Sequence, residues 1–269
     1  MKLKSSEPFW LLKNGLIHSY PSLAGNAEAD VVVIGGGITG SLIAHQCMHD
    51  GYHTILIDKR EIANGSTSAS TSMLQYEIDV PLFKLVEKIG ENAAVQNYKA
   101  CYAAIDTLQK LTKKIKSNSG FKKKESLYFS AYKKDNKSLQ QEFLCRQRNG
   151  FPVVWLTEQE IQKKYQLKNA FGGILSEQGA SVDVFKFTHD LLAFNYKKGL
   201  KVFDKTNLEE ITYKKNGVLV KTDKGFTIKA NKIIFCTGFE STEMIKEKFV
   251  QLLSTYAIAG EQAPGKQTI

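Results

Sequence analysis

The stretch that most limits what this chain can fold into is "ADVVVIGGGITGSLIAHQCMHDGYHTILIDKR", residues 29–60. Val31 to Ile34 form an unbroken β-branched run, the pattern of a strand buried on both faces. Glycines end it at once. Ile38, Leu42, Ile43 and Met48 then fall near helical spacing, with Gly51 placed to cap the helix. "YHTILIDKR" reads as a second buried strand, so the whole is a βαβ unit of about thirty residues.

Gly35, Gly37 and Gly40 spell G-x-G-x-x-G, with Ile38 and Thr39 inside the same turn. The first glycine permits the tight turn off the strand, the second keeps a Cβ away from a pyrophosphate, and the third lets helix and strand pack closely. The helix N-terminus then offers free N–H groups and a positive dipole end to the phosphates. An acid is expected about twenty residues on, and Asp58 stands eighteen residues after Gly40, placed to accept hydrogen bonds from ribose hydroxyls. Its charge argues against a 2′-phosphate, an argument that the neighbouring Lys59 and Arg60 soften. The bland alternative is a glycine-rich turn that holds no ligand.

The 269 residues suffice for one large domain or two intimate ones. Lys and Arg number 37 against 27 Asp and Glu, a net charge of +10. The lysines are scattered and interrupted by acids, so they read as a solvated surface rather than a nucleic-acid interface. No apolar run is long enough to span a bilayer. The N-terminus lacks the apolar core of a signal peptide, so the expected location is the cytoplasm. Cys47, Cys101, Cys145 and Cys236 form no CxxC pair, and the histidines show no metal-ligand spacing, so no metal site is expected. His45 and His49, four apart on the first helix, read as structural or exposed.

Residues 1–29 read as an N-terminal arm held to the body through Phe9, Trp10 and Tyr20. "EIANGSTSASTSMLQYEIDVP" reads as a small-residue loop, too rich in Ser, Thr and Ala to be a core element. Residues 82–115 are helical with a break at Gly90. A strand at "ESLYFSAY", a helix ending at Gly150, a short strand at "FPVVWL" and a Thr157–Glu160 capping box follow. "FGGILSEQGASVDV" is turn- and strand-like, and "DVFKFTHDLLAFNYKKG" is a helix. Four strand-like pieces then come between Leu200 and Gly238, with "KNG" and "DKG" as hairpin signals. These readings divide the chain into an arm (1–29), a cofactor domain in two parts (30–80 and 186–241), a helical and substrate-domain insertion (81–185), and a final segment (242–269).

After the second strand the chain enters "NGSTSASTSMLQYE" instead of continuing a simple strand–helix alternation, and "KIIFCTGFES" returns far downstream. With "DVVVIGGGITG", "GASVDVFKFTHDLL" and "GLKVFDKTNLEEI", these stretches resemble the D-amino-acid oxidase (DAO) superfamily of FAD-dependent oxidoreductases, in particular its glycine-oxidase-like branch. The resemblance implies an α/β fold, α+β overall: a Rossmann-like FAD domain of the DAO type with an incomplete mixed-sheet substrate domain. It implies FAD as cofactor. Gly35, Gly37 and Gly40 would hold the pyrophosphate, Asp58 the adenosine ribose, and Lys59 or Arg60 would lie near the adenine. Ser66 and Thr67 would bond phosphate or ribityl oxygens. Ser72, Met73 and Leu74 would approach the isoalloxazine through backbone groups, and Leu208 would meet the adenine. Cys236, Thr237 and Gly238 match the family's A-T-G-like turn, with cysteine in place of the usual alanine. Val184 stands where a proline is common.

The family oxidises a C–N bond of an amine or amino acid, so a small-molecule substrate is implied, with no nucleic acid or membrane. Its substrate-binding groups come after the point where this sequence stops, so no catalytic residue can be named. Thr255 to Ala259 resemble the start of a strand whose partners lie further on. The expectation is a C-terminally truncated family member with weak or absent turnover. Alternatives are a non-catalytic FAD or nucleotide binder, or a subunit completed by a homo- or hetero-oligomeric partner. An NAD-dependent dehydrogenase is a weaker reading.

Overall fold

A computed structural model describes residues 3–4, 7–245, 247 and 250–256. In chain order the elements are α1 (Phe9–Asn14), β1 (Ala27–Ile34), α2 (Ile38–His49), β2 (Thr54–Ile57), β3 (Met73–Gln75), α3 (Leu82–Ile89), α4 (Glu91–Lys114), β4 (Lys122–Phe129), α5 (Asn136–Arg148), β5 (Val153–Leu156), α6 (Glu158–Tyr165), β6 (Gly173–Ser181), α7 (Val184–Tyr196), β7 (Lys201–Phe203), β8 (Leu208–Lys214), β9 (Gly217–Thr222) and β10 (Thr227–Phe235). They form two compact units. Among the described residues, the first takes those through Thr71, Ile115–Ser119 and residues 183–256; the second takes Ser72–Lys114 and Gly120–Val182. No helix among the described residues is long and apolar enough to cross a membrane.

The first unit is built on a six-stranded sheet among the described residues, ordered β7-β2-β1-β10-β9-β8. β1 runs parallel to both β2 and β10, and β2 parallel to β7. β9 and β8 add an antiparallel edge. The β-branched run of β1 explains its central place, since alternate side chains leave opposite faces of a strand. Val31 and Val33 pack with Leu56, Ala44, Phe185 and Leu192 under α2 and α7. Val32 and Ile34 pack on the other face with Ile55, Ile57, Val220 and Ile228. Ile55, Leu56 and Ile57 are wholly buried, and each such side chain contributes about 1.5–3 kcal/mol to folding. α7 starts where Asp183 caps it, its carboxylate accepting the Lys186 N–H at 2.9 Å. That carboxylate also holds Lys13 and Asn14 of the arm, at 3.2 and 2.9 Å.

The arm departs from expectation in one respect. Tyr20 is buried and Trp10 packs on the core, its indole N–H donating to the Ser70 carbonyl at 2.8 Å. Phe9, however, is 51% exposed. Phe9 and Trp10 are consecutive on α1, and neighbours on a helix point about 100° apart, so only one ring turns inward. The strand expected at Thr255–Ala259 lies outside the described residues from Ala257 on, and Thr255 and Tyr256 belong to no helix or strand.

In the second unit β6 is the spine. β4 runs along its length, β3 pairs with Gly179–Ser181 and β5 with Gly173–Ser176, all antiparallel. Gly90 divides α3 from α4 through a positive φ of 83°. Thr157 and Glu160 make the reciprocal capping box at the start of α6. The core joins Tyr76, Leu82, Ala94, Tyr98, Ile105 and Phe151. Beside it Arg146, only 1% exposed, donates Nε–H to Glu142 at 2.6 Å and a terminal N–H to Glu77 at 3.0 Å. Burial works against the guanidinium charge, but Tyr76, Glu142 and Glu77 hold it above the ordinary arginine range.

Candidate cofactor cleft

The site of the first unit forms where β1 ends. Gly35 turns the chain with φ 109°, and a Cβ there would lie 2.5 Å from the Cys236 carbonyl oxygen. This close approach exists because Cys236 continues β10 beside β1, its N–H donating to Ile34 O at 2.8 Å. A Cβ on Gly40 would run into the Gly35 carbonyl, so helix α2 can seat only with glycine at that position. Gly37 is the N-cap of α2 and has no side chain to satisfy the first-turn N–H groups.

Thr67 supplies one acceptor instead. Its Oγ1 takes the Ile38 N–H at 3.0 Å, and a Cβ on Gly37 would crowd that same oxygen at 2.9 Å. The "GSTSAST" segment is therefore anchored at its centre, while Ala69 to Thr71 are exposed. It forms a short 3-10 turn, Ser66–Ala69, with Thr67 and Ser68 buried. The polar side chains are tolerated inside because they are bonded: Ser68 Oγ donates to Gly65 O at 2.8 Å.

Asp58 ends β2. One carboxylate oxygen accepts the Gly36 N–H and the other the Arg60 N–H, each at 2.7 Å. Burial raises the Asp58 pKa from its ordinary value, against those N–H groups and the Arg60 charge, which lower it. The loop after β7 locks this corner, with Thr206 N–H donating to Asp58 O at 2.8 Å and Lys205 N–H to Arg60 O at 3.1 Å.

These pieces enclose a cleft of about 840 Å³ in the first unit, within the range of small-molecule sites. Gly35, Gly37, Ile38, Thr39, Asp58, Lys59, Arg60, Ser66, Thr67, Leu208, Cys236, Thr237 and Gly238 line it. Gly40 lies beneath the turn against Gly35. Ser72, Met73 and Leu74 belong to the second unit and are not among the lining residues. His45 bonds Asn195 at 2.9 Å. The four cysteines are free thiols, with Cys145 buried and the others half-buried.

The residue that sequence reasoning missed is Glu240, in the 3-10 turn Gly238–Glu243 after β10. It is 8% exposed. Arg60 grips its carboxylate through both terminal nitrogens, at 3.1 and 2.7 Å, and Lys59 joins at 3.0 Å. The Arg60 hydrogen bond, with help from Lys59, draws the Glu240 pKa down to about 2. The only trace in the sequence was an acid three residues after Thr237, with nothing to join it to positions 180 residues earlier.

Comparison with known proteins accords with this geometry. The family model of FAD dependent oxidoreductases (DAO) matches residues 30–267. The Bacillus subtilis protein YhfW, described as a Rieske 2Fe-2S iron-sulfur protein, is 22% identical over 88% of this chain and 45% of its own length. An aerobic glycerol-3-phosphate dehydrogenase of Staphylococcus aureus is 27% identical over 79% of this chain and 39% of its own. Among solved structures, L-amino acid deaminase from Proteus myxofaciens superposes with TM-score 0.70 at 17% identity, covering 85% of this chain and 49% of that one. Glycine oxidase from Geobacillus kaustophilus gives 0.66 at 20% identity, covering 79% and 56%. The chain thus spans about half the length of the relatives it matches. It belongs to the DAO family of FAD dependent oxidoreductases, whose cofactor is FAD.

Proposed function

We propose that the first unit holds the ADP half of FAD in its cleft, in an oxidoreductase that oxidises the C–N bond of an amine or amino acid. The observation that carries this reading is the cradle at the end of β1. Gly37 carries no side chain at the N-terminus of a twelve-residue helix, and a Cβ there would crowd Thr67 Oγ1 at 2.9 Å. In that cradle the α2 N–H groups would face the pyrophosphate. Both Asp58 oxygens keep lone pairs beyond the backbone N–H groups they already accept, and these would bond the ribose hydroxyls. Ser66 and Thr67 would contact phosphate or ribityl oxygens. Leu208 would lie against the adenine, and Cys236–Gly238 would border the ribityl chain. Ser72, Met73 and Leu74 are assigned to the isoalloxazine on the family resemblance alone.

Bound FAD would supply the two-electron acceptor for oxidation of a C–N bond. This chain's own residues bind and orient the nucleotide end. The amine class is favoured by the glycine oxidase and amino acid deaminase neighbours. The glycerol-3-phosphate dehydrogenase relative supports a second reading, oxidation of a phosphorylated polyol.

Anaerobic mixing of the FAD-reconstituted chain with amines, amino acids and glycerol 3-phosphate separates the two readings. Bleaching of the flavin band by an amine or amino acid is the expected result. Bleaching by glycerol 3-phosphate alone, or by none of them, would overturn the amine assignment.

A further inference from the structure

The family match starts at residue 30 and leaves the arm outside it, yet the arm grips the turn that caps α2. Trp10 donates its indole N–H to the Ser70 carbonyl at 2.8 Å, just after the Ser66–Ala69 turn. Lys4 donates to the Asn64 side-chain oxygen at 2.6 Å, two residues before that turn. Leu3 lies against Gly65, where a Cβ would meet its Cδ1 at 3.4 Å. The arm therefore holds the turn at both ends. Leu3, Gly65, Ser66, Thr67 and Ser70 all line the cleft.

α1 is itself fixed to the body. Trp10, Leu11 and Ile17 pack on the core of the first unit. Lys13 stands 4.9 Å over the Trp10 ring and 3.2 Å from the Asp183 carboxylate, and Asn14 donates to the Trp10 carbonyl at 3.0 Å and to Asp183 at 2.9 Å. The turn has less of its own to hold it. It is four residues of 3-10 helix, a form with poor hydrogen-bond geometry, and the Ser70 N–H reaches the Thr67 carbonyl only at 3.5 Å. We infer that Trp10 is a positioning residue for the cofactor site: by holding Ser70 it keeps Thr67 Oγ1 on the Ile38 N–H and shapes the phosphate side of the cleft before a nucleotide arrives. The inference rests on the FAD reading given above. A turn set in advance needs no ordering by the ligand, whereas a turn released from Trp10 must be ordered on binding, and affinity falls by that cost. Ser70 is exposed, so water replaces the indole donor when it is removed. The fold then loses little while the turn loses its fixed position.

The test titrates the full chain with FAD and then displaces the FAD with adenosine, which lacks the phosphates that would meet the turn. Trp10→Phe keeps an aromatic ring and removes the N–H. Its Kd for FAD should rise about three- to tenfold, one hydrogen bond's worth, while its Kd for adenosine stays at the parent's value. Lys4→Ala frees the other end of the turn and should shift the two constants in the same way; it carries the test should Trp10→Phe not fold. An equal loss of affinity for FAD and adenosine marks a general loosening and overturns the positioning role, as does an FAD affinity unchanged in both variants. Either result leaves the FAD site standing. Failure of the parent to bind FAD overturns the site itself.

Discussion

Replacing Arg146 by methionine should be among the most damaging single changes in the second unit. The guanidinium is 1% exposed and its partner Glu142 equally buried. Nε donates to Glu142 Oε1 at 2.6 Å, and the terminal nitrogen donates to Glu77 at 3.0 Å and to the Tyr76 hydroxyl at 3.3 Å. The rings of Tyr76 and Tyr98 sit 5.4 and 5.7 Å from the guanidinium carbon. Methionine keeps most of the volume but leaves the Glu77 and Glu142 carboxylates without their shared cation. Glu142 retains only its other anchor, the Phe83 N–H at 3.1 Å. Breaking such a buried pair from one side costs about 3–5 kcal/mol, a large part of the 5–15 kcal/mol that typically separates folded from unfolded chains. At roughly 2–4 °C per kcal/mol, the melting temperature should fall by about 6–20 °C. Trp155 lies on β5 of this unit and Trp10 in the other. Urea unfolding followed by fluorescence in a Trp10→Phe background therefore reads the second unit directly. Adding Glu142→Gln to Arg146→Met should recover more than half of the loss. A single variant within 1 kcal/mol of the parent, or a double variant worse than the single, would refute the assignment of the cluster as a charge-balanced core.

Two further outcomes concern the cleft. Gly37→Ala puts a methyl 2.9 Å from Thr67 Oγ1, into the space assigned to the pyrophosphate. Thr67 must shift to admit it, so some stability is lost, and ADP-ribose binding should weaken by about tenfold or more; calorimetric affinity of the folded variant equal to the parent's would count against that assignment. Glu240 carries a folded pKa of about 2, below its ordinary 4.5. Its ion pair therefore stabilises the fold fully above pH 4.5 and is lost as pH falls toward 2. In urea melts across that window the parent should lose stability relative to Glu240→Gln, and parallel pH curves would remove the pair from the stability account.

Much of the first unit was readable because its signals are local. The β-branched run at Val31–Ile34, the glycines and the Asp58 position each follow from neighbours within a few residues, as do the Gly90 break, the Thr157–Glu160 box and the hairpins around Gly217 and Gly225. What escaped depends on partners distant in sequence. Thr67 and Ser68 look like surface residues until the Ile38 N–H and the Gly65 carbonyl satisfy them. Arg146 sits in a helix of low apolar content, and its burial is set by Glu77, nearly seventy positions earlier. The three-residue strand β3 is too short to show a period and exists because β6 pairs with it. Glu240 needed both strands flanking β1 in place before its carboxylate could meet Arg60.

The central claim is that the first unit's cleft takes FAD by its ADP half. An equilibrium titration of the purified chain with FAD, followed by flavin fluorescence and competed separately with ADP and with FMN, tests it most directly. Saturable FAD binding displaced by ADP and untouched by FMN is the predicted result. Displacement by FMN with ADP inert, or no FAD binding, would contradict it.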